Sequence, residues 1–345
     1  MDRSHQIQLL AFLSVVFLGL QMVNLQDYQK PISIIASHVS TTATTAIISL
    51  TRSTTKDIDM LCHALHTLKY LPDARKSNNT QSSSGPPLAP VIVFHERQFP
   101  NQSQAMLEKC TPRPMTFAVV DFDSYPPAFD ATKEEALWRV PTAGQKRRRF
   151  FGFGYSQMIR FYVTTIWKHP AIQGYETIMR LDTDACWRPS TPQNEENYPP
   201  YLPSDKVYHA NIIREDSPQY CQGIYELTKQ YIAKTNMTVA NPRMWRWFGQ
   251  TYRKSGHCLS YYNNFEVVRV KFMQQSHVQH FHHAVTEQAP FGVFRHRWGD
   301  AIVRYLTMTL FAEPGSVIHT NKWRGNGPKG YAHKRECPRP NPNKK

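Results

Sequence analysis

The sequence predicts an α/β fold in which helices cover a central, mainly parallel sheet. Short apolar runs suited to buried strands alternate with segments whose apolar residues recur at helical spacing, and this alternation continues through most of the chain. Such an order is typical of parallel strands joined by crossover helices. The 345 residues are 41% hydrophobic and 12% aromatic, which is enough for one large domain or two moderate ones with a hydrophobic core.

An N-terminal membrane anchor is predicted to precede this fold. Residues 7–23, IQLLAFLSVVFLGLQMV, form an apolar run about as long as a short membrane helix, and a polar stub at 1–6 precedes them. A cleaved signal peptide is the alternative, but no clear small-residue cleavage site follows the run. We expect a cytoplasmic stub at 1–6, a signal anchor at 7–23, a polar stem at 24–44 and a domain at 45–345 on the lumenal or outer side.

Sequons and cysteines agree with a secretory location. N-x-S/T sequons occur at Asn78, Asn101 and Asn236, all in polar surroundings. The six cysteines contain no C-x-x-C pair that would indicate zinc or thioredoxin chemistry. In an oxidising lumen we expect disulfides among them, and the spacing leaves the pairing open.

The charge balance favours anionic small ligands over nucleic acid. Lys and Arg number 41 against 26 Asp and Glu, which gives a formal charge of +15 and an isoelectric point near 9.6. A surface of this kind attracts phosphates, nucleotides and acidic polymers. The basic residues are scattered apart from Lys146–Arg149 and the tail from Lys322, and no zinc-finger or RNA-binding signature is present. We therefore expect no nucleic-acid partner.

The first part of the domain predicts two strand–helix units and a further strand. TAIISLTRS is a buried strand, and DIDMLCHALHTLKYL follows with apolar residues at helical spacing. After a polar loop, VIVFHE predicts a strand, QSQAMLEKC a helix and MTFAVVDFD a third strand.

The second part continues this order. YSQMIRFYVTTIWKHP, residues 155–170, predicts a helix that ends at a proline, and YETIMRLDTD is the next strand. KVYHANIIRED predicts another strand, CQGIYELTKQYIAKT a helix, and YYNNFEVVRV a strand that follows a turn. WGDAIVRYLTMTLF is the last helix, before an irregular basic tail.

Two D-x-D motifs follow predicted strands. They are Asp182 with Asp184 in RLDTD, and Asp121 with Asp123 in VVDFD. Carboxylates at the C-terminal edge of an open α/β sheet can hold a divalent cation that bridges the phosphates of a nucleotide sugar. A solvated acidic turn is the alternative for either motif. Context favours Asp182 with Asp184 as the cation site, because Arg180 lies two residues before Asp182 and the preceding helix carries Tyr155 and Arg160.

Three long stretches resemble one known family. YSQMIRFYVTTIWKHPAIQGYETIMRLDTDACW, SYYNNFEVVRVKF and FRHRWGDAIVRYLTMTLF, in that order, resemble the fungal α-1,2-mannosyltransferases of glycosyltransferase family 15. The closing SVIHTNKWRGNGPKGYAHKRECP is also similar, so the resemblance runs from about Ile47 to Cys337. It implies a GT-A fold, GDP-mannose as donor, Mn²⁺ as cofactor and a mannose-containing glycan or glycoprotein as acceptor. Together with the predicted anchor at 7–23, it leads us to expect a single-pass type II protein of the Golgi or endoplasmic reticulum membrane.

The resemblance implies a metal site. Asp182 stands where the family has a metal-binding glutamate, and Asp184 keeps the second carboxylate. His333, in GYAH, matches a histidine that completes the metal site. An imidazole together with carboxylates suits Mn²⁺ better than Mg²⁺ or Ca²⁺.

It also implies residues for the donor and for catalysis. Tyr155 matches a tyrosine that reaches the donor phosphates, and Arg52 matches an arginine at the nucleotide. We also expect Arg180 to be a donor-binding residue. Glu266 matches a glutamate near the anomeric carbon, where it either attacks as a nucleophile or stabilises an oxocarbenium ion. Asp300, of RWGD, would orient the acceptor or the nucleotide, or instead form the N-cap of the following helix.

Departures from the family pattern bear on the cation and on the acceptor. The family's Glu-Pro-Asp is Asp-Thr-Asp here, so the shorter Asp182 must approach the metal more closely or through water. The family's lead into Asn-Phe-Glu is replaced by SGHCLSYYN, which supplies Tyr261 and Tyr262 as the aromatic pair. Two alternatives remain. One is a GT-A transferase with another nucleotide-sugar donor, and the other is a non-catalytic, lectin-like secretory protein.

Overall fold

The computed structural model describes residues 45–71, 88–139, 152–187, 202–210, 212–319, 331–333 and 337. The predicted stub, anchor and stem lie outside these residues. Within the described ranges, no helix is sufficiently long and apolar to cross a membrane.

Strands form one large sheet and two small ones in the described part of the chain. The strands are β1 (Thr45–Thr51), β2 (Val91–His95), β3 (Met115–Val119), β4 (Thr177–Leu181), β5 (Ala185–Trp187), β6 (Tyr208–Ala210), β7 (Ile213–Asp216), β8 (Cys258–Tyr261), β9 (Phe265–Arg269), β10 (Val317–His319) and β11 (Tyr331–His333). The seven-stranded sheet has the order β10-β6-β9-β4-β1-β2-β3. Within it only β9 pairs antiparallel with its neighbours, which confirms the predicted mainly parallel sheet. The pairs β5–β11 and β7–β8 are antiparallel.

Helices cover both faces of the large sheet. Those of the described residues are α1 (Thr55–Thr67), α2 (Asn101–Glu108), α3 (Ala131–Arg139), α4 (Phe153–Arg160), α5 (Ile224–Thr235), α6 (Pro242–Ser255), α7 (Val270–Met273), α8 (Ser276–Thr286), α9 (Gly292–Arg295) and α10 (Asp300–Phe311). After α4 the chain continues through a π-helical turn at Phe161–Thr165 and a 3₁₀ turn at Ile166–Lys168. The predicted helix at 155–170 is therefore present, but its second half is irregular.

The central strands are apolar because both sheet faces are buried. On β1, Ile47 packs in one core cluster with α1, whereas Ile48 packs in the other with α10. Adjacent residues of a strand point to opposite faces, so a strand buried on both sides needs apolar residues at nearly every position.

One predicted strand is two strands. KVYHANIIRED was expected to form a single strand, but β6 ends at Ala210 and β7 begins at Ile213. β6 joins the large sheet between β9 and β10, whereas β7 pairs with β8 in a separate small sheet. The sequence does not mark the break, because Ile212 and Ile213 continue the apolar residues of β6 although β7 pairs with a different strand.

Three disulfides are present, which confirms the expectation of an oxidised chain. They join Cys62 to Cys110, Cys186 to Cys337, and Cys221 to Cys258. The bond between Cys186 and Cys337 joins Cys337, in the C-terminal part of the chain, to β5, next to Asp182 and Asp184.

Trp298 anchors the turn that leads into α10. Its ring is fully buried, and its indole N–H donates to the carbonyl of Gln222 at 2.8 Å. The ring lies directly on Gly292, where an added Cβ would come within 2.2 Å of it. Only glycine leaves room for the ring at this position.

We expect Gly292→Ala to lower the free energy of unfolding by about 1–3 kcal/mol, because the new methyl group must displace the Trp298 ring. Gly154→Ala is the matched control, since its Cβ would meet no atom within 4 Å and alanine favours the helix. Urea unfolding of the two variants and the wild type measures the difference. Equal stability of all three would contradict the packing argument.

Candidate functional site

A cavity of about 530 Å³ opens at the C-terminal ends of β1 and β4. Its wall includes Leu50 of β1, residues Asp182–Asp184 after β4, the β7–β8 pair, the start of α4 and the start of α10. Open α/β sheets bind ligands at this edge, where the strands of the sheet deliver loops to one place.

The two D-x-D motifs have different structures. Asp182 and Asp184 both line the cavity. Asp121 instead accepts hydrogen bonds from the backbone N–H groups of Asp123 at 3.0 Å and Ser124 at 3.3 Å. This closes an exposed turn after edge strand β3. The acidic-turn alternative therefore describes Asp121 and Asp123.

Arg180 organises the acidic side of the cavity. Its Nε donates to Oδ1 of Asp182 at 2.7 Å, and its Nη1 donates to Oδ2 of Asp300 at 2.5 Å. The guanidinium also lies over the ring of Tyr162, with 3.8 Å between its carbon and the ring centre. Arg180 thus holds carboxylates from a strand end and a helix start in one place. A direct contact of Arg180 with the donor remains a prediction.

Asp300 is the first residue of α10 rather than its N-cap, which is Gly299. Besides Arg180, the side-chain amide of Asn263 donates to Oδ2 of Asp300 at 3.0 Å. The N-cap alternative is therefore wrong, and the carboxylate of Asp300 is directed to the cavity wall instead.

The carboxylates differ in their protonation behaviour. Burial raises the pKa of Asp182 above its ordinary value against the attraction of Arg180, and the neighbouring Asp184 and Asp300 raise it further. Burial also acts to raise the pKa of Asp300, but Arg180 and the hydrogen bond from Asn263 outweigh it and hold that pKa below its ordinary value. Two carboxylates thus share one guanidinium and Asp184 lines the same cavity, an excess of negative charge that suits a bound cation.

His333 lies on the strand that pairs with β5. In this pairing His333 is opposite Ala185, the residue that follows Asp184, and the Cys186–Cys337 disulfide joins the two segments next to this pairing. The topology therefore brings the backbone of His333 beside the D-x-D motif, across more than a hundred residues of sequence. Two carboxylates and an imidazole form a donor set that fits Mn²⁺.

The predicted donor-binding residues have different environments. Tyr155, near the start of α4, lines the cavity, and its hydroxyl accepts a hydrogen bond from Nη2 of Arg297 at 3.1 Å. Arg52 follows β1 with its side chain 70% exposed, and its Nε is 2.8 Å from Oδ2 of Asp57. Arg52 is not part of the cavity wall, so its contact with a nucleotide stays a prediction.

Glu266 is buried in the sheet beside Arg180. The two residues are register partners on β9 and β4, so their side chains project from the same face. Both carboxylate oxygens of Glu266 accept from Arg304 of α10, at 2.9 and 3.3 Å. The side chain of Glu266 is only 3% exposed and does not line the cavity. Its place near the anomeric carbon stays a prediction.

The sequence reasoning missed three residues around the site. Asn263 and Arg304 bind Asp300 and Glu266, and Arg297 contacts Tyr155. Arg304 had a visible signal, because it is the single charge inside the otherwise uncharged, mostly apolar stretch AIVRYLTMTLF. A cation on a buried helix face indicates a buried anionic partner.

The fold is that of glycosyltransferases. Core-mannan synthase A (CmsA/Ktr4) from Aspergillus fumigatus, solved in an Mn/GDP form, superimposes with a TM-score of 0.63 at 17% identity, over 89% of this chain and 81% of that chain. Mannosyltransferase Ktr4p from S. cerevisiae, solved in complex with GDP, gives 0.62 at 19% identity, over 85% and 71%.

The family model described as glycolipid 2-alpha-mannosyltransferase matches residues 89–342, so the chain belongs to that family. O-glycoside alpha-1,2-mannosyltransferase homolog 2 of Schizosaccharomyces pombe is 23% identical over 265 residues, which are 72% of this chain and 65% of that protein. Probable mannosyltransferase KTR4 of Saccharomyces cerevisiae is 24% identical over 47% of this chain and 36% of its own length. The aligned part of this chain spans less than two thirds of these relatives.

We expect Glu266→Gln to lower the free energy of unfolding by about 3–5 kcal/mol, because it leaves the charge of Arg304 buried without a counter-ion. The double variant Glu266→Leu with Arg304→Met should be more stable than Glu266→Gln. Glu176→Gln is the control, because Glu176 is 51% exposed in its pair with Arg269 and should change stability by at most about 1 kcal/mol. Urea unfolding decides, and equal losses for Glu266→Gln and Glu176→Gln would refute a buried pair.

Proposed function

We propose that this protein is a retaining α-1,2-mannosyltransferase that transfers mannose from GDP-mannose to a mannose-containing glycan in protein glycosylation. The observation that carries the proposal is the acidic cavity at the C-terminal edge of the sheet, with Asp182 and Asp184 in its wall. Membership of the glycolipid 2-alpha-mannosyltransferase family supports it. The same cavity suits other nucleotide sugars, so the donor has to be tested by competition.

We propose that Asp182 and His333 hold Mn²⁺, with Asp184 as the second carboxylate beside them. This ion would neutralise the negative charge that develops on the diphosphate leaving group. The donor set fits it, and the Mn/GDP form of Core-mannan synthase A supports the choice. Arg180 serves this site by fixing the orientation of Asp182.

The chain's own residues would bind and orient the substrates. Tyr155 would donate its hydroxyl proton to a phosphate oxygen of the donor, and Arg52 would approach the nucleotide from the end of β1. Hydrogen bonds from Arg180 and Asn263 orient the carboxylate of Asp300, so it can accept a hydrogen bond from a substrate hydroxyl in a defined direction.

Glu266 would act through its charge. Both oxygens face Arg304, and attack on an anomeric carbon would require the carboxylate to leave that buried cation. The carboxylate would instead stabilise an oxocarbenium ion at longer range, and its pairing with Arg304 reduces the negative charge that it offers. The arrangement therefore favours electrostatic stabilisation over a covalent intermediate.

The acceptor would meet Tyr262. Tyr261 is fully buried, so of the two predicted aromatic residues only Tyr262 lines the cavity. The guanidinium carbon of Arg214 lies 3.9 Å from the centre of its ring. This contact holds the ring in place as one wall of an acceptor subsite.

We propose a Golgi or endoplasmic reticulum location, with residues 7–23 as a type II signal anchor and 45–345 in the lumen. The apolar run and the disulfides support the proposal. Two of the sequons are accessible, because Asn101 and Asn236 are exposed at the ends of helices.

Expressed in eukaryotic cells, the protein should stay in the membrane pellet after alkaline carbonate extraction. Endoglycosidase should lower its mass, and Asn101→Gln or Asn236→Gln should each remove part of that shift. A secreted, N-terminally shortened product would show that the segment at 7–23 is a cleaved signal peptide. A carbonate-soluble, unglycosylated protein would contradict the lumenal placement altogether.

The full-length protein should transfer labelled mannose from GDP-mannose to α-methyl mannoside, lose this activity with a chelator and regain it with Mn²⁺. Asp182→Asn should lower the rate roughly 100-fold or more, because it removes a charged metal ligand. Asp123→Asn is the matched control in the other D-x-D motif, where the side chain is exposed and the rate should not change.

The donor is tested in the same assay. GDP should inhibit transfer more strongly than UDP. Transfer from a UDP-sugar but not from GDP-mannose would replace the proposed donor, and failure of Mn²⁺ to affect nucleotide binding would overturn the enzymatic proposal.

A further inference from the structure

The backbone of Arg297 has a conformation that an arginine rarely adopts. Its φ is +59°, in the left-handed region, which is unfavourable for residues with a Cβ. Within the described ranges, three other non-glycine residues share a positive φ: Ala128, Asn236 and Phe291. Of the four, Arg297 alone lines the cavity. Strained residues of this kind often occur where a side chain has to be placed for function.

The Arg297 side chain lies between two tyrosine rings. Its guanidinium carbon is 4.7 Å from the ring centre of Tyr155 and 4.1 Å from that of Tyr220. Both tyrosines line the cavity, and the arginine is half-buried. Stacking of this kind fixes the plane of a guanidinium and therefore the directions in which its N–H groups donate. The carboxylate of Asp216, from β7, attracts Arg297 in the same cavity.

The hydrogen bond between Arg297 and Tyr155 sets the direction of the phenol proton. A guanidinium can only donate, so the Tyr155 hydroxyl is the acceptor in the contact at 3.1 Å. The hydroxyl must then direct its own proton to a different acceptor. Together the two groups present N–H and O–H donors, which is the arrangement that binds anionic oxygens.

Arg180, the buried cation of the cavity wall, binds two carboxylates of the protein. Arg180 donates to both Asp182 and Asp300. Its two hydrogen bonds hold the metal-side carboxylates in place. A diphosphate entering the cavity needs a further donor, and the stacked guanidinium of Arg297 beside the Tyr155 hydroxyl has the geometry for it.

We infer that Arg297 is a donor-binding residue whose guanidinium, together with the Tyr155 hydroxyl, binds the diphosphate oxygens of the nucleotide sugar. The inference rests on the proposed function, because it takes a nucleoside diphosphate sugar as the donor. The left-handed backbone at Arg297 directs the side chain between the two rings and places it at the cavity.

The test is GDP binding in the presence of Mn²⁺, measured by calorimetry on the full-length protein. Arg297→Gln should weaken GDP binding roughly 10- to 100-fold, because it removes hydrogen bonds from a charged donor. Arg297→Lys keeps the charge without the planar fork and should lose less. Tyr155→Phe should also weaken GDP binding. The double variant Tyr155→Phe with Arg297→Gln should lose less binding free energy than the sum of the two single losses, because one group orients the other.

Two glycine variants separate binding from folding. Arg297→Gly removes the side chain but relieves the positive φ, so it should not lower the thermal midpoint while it weakens GDP binding as much as Arg297→Gln. Ala128→Gly relieves a positive φ of 66° at an exposed site away from the cavity and should leave GDP binding unchanged.

The outcomes distinguish this inference from the proposed function. Folded Arg297 variants with weakened GDP binding and an unchanged KM for the acceptor support the inference. Wild-type affinity in Arg297→Gln and Arg297→Gly overturns it but leaves the proposed function standing. Unchanged GDP binding with a raised KM for the acceptor also overturns it, since Arg297 would then serve the acceptor. A wild-type protein that does not bind GDP with Mn²⁺ overturns the proposed function itself.

Discussion

The site depends on the contact of Arg180 with Asp182 and Asp300. These carboxylates come from the end of β4 and the start of α10, and without a cation between them they would repel each other. Arg180 is buried and stacked on Tyr162, so its guanidinium has a fixed position. Because it donates to both carboxylates, the end of β4 and the start of α10 are held next to each other. The cavity lies where these two elements meet.

A second ion pair repeats this connection one helical turn further along α10. Asp300 and Arg304 are four residues apart, so they lie on the same face of the helix. Asp300 binds Arg180, and Arg304 binds Glu266, which is the register partner of Arg180 on β9. The four charges alternate in sign across the interface between helix and sheet. Each buried charge therefore has a partner of opposite sign, which burial requires.

Periodicity and local composition predicted most strands and helices of the sheet, because apolar spacing is a local property. The break between β6 and β7 was not predictable in this way, since it depends on which distant strand each half meets. The same holds for the site. Asp182 was recognisable after its strand, but the pairing of Arg304 with Glu266 and the backbone conformation of Arg297 arise from contacts between residues far apart in the sequence.

Buried packing and functional placement coincide in the segment before α10. Phe291 and Arg297 both have a positive φ, and between them the chain turns around the buried ring of Trp298. Trp298 holds this turn through its contact with Gly292 and its hydrogen bond to Gln222. The turn delivers Arg297 to the cavity and sets the start of α10, and with it Asp300. An apolar anchor outside the cavity wall therefore determines where two charged groups of the site are placed.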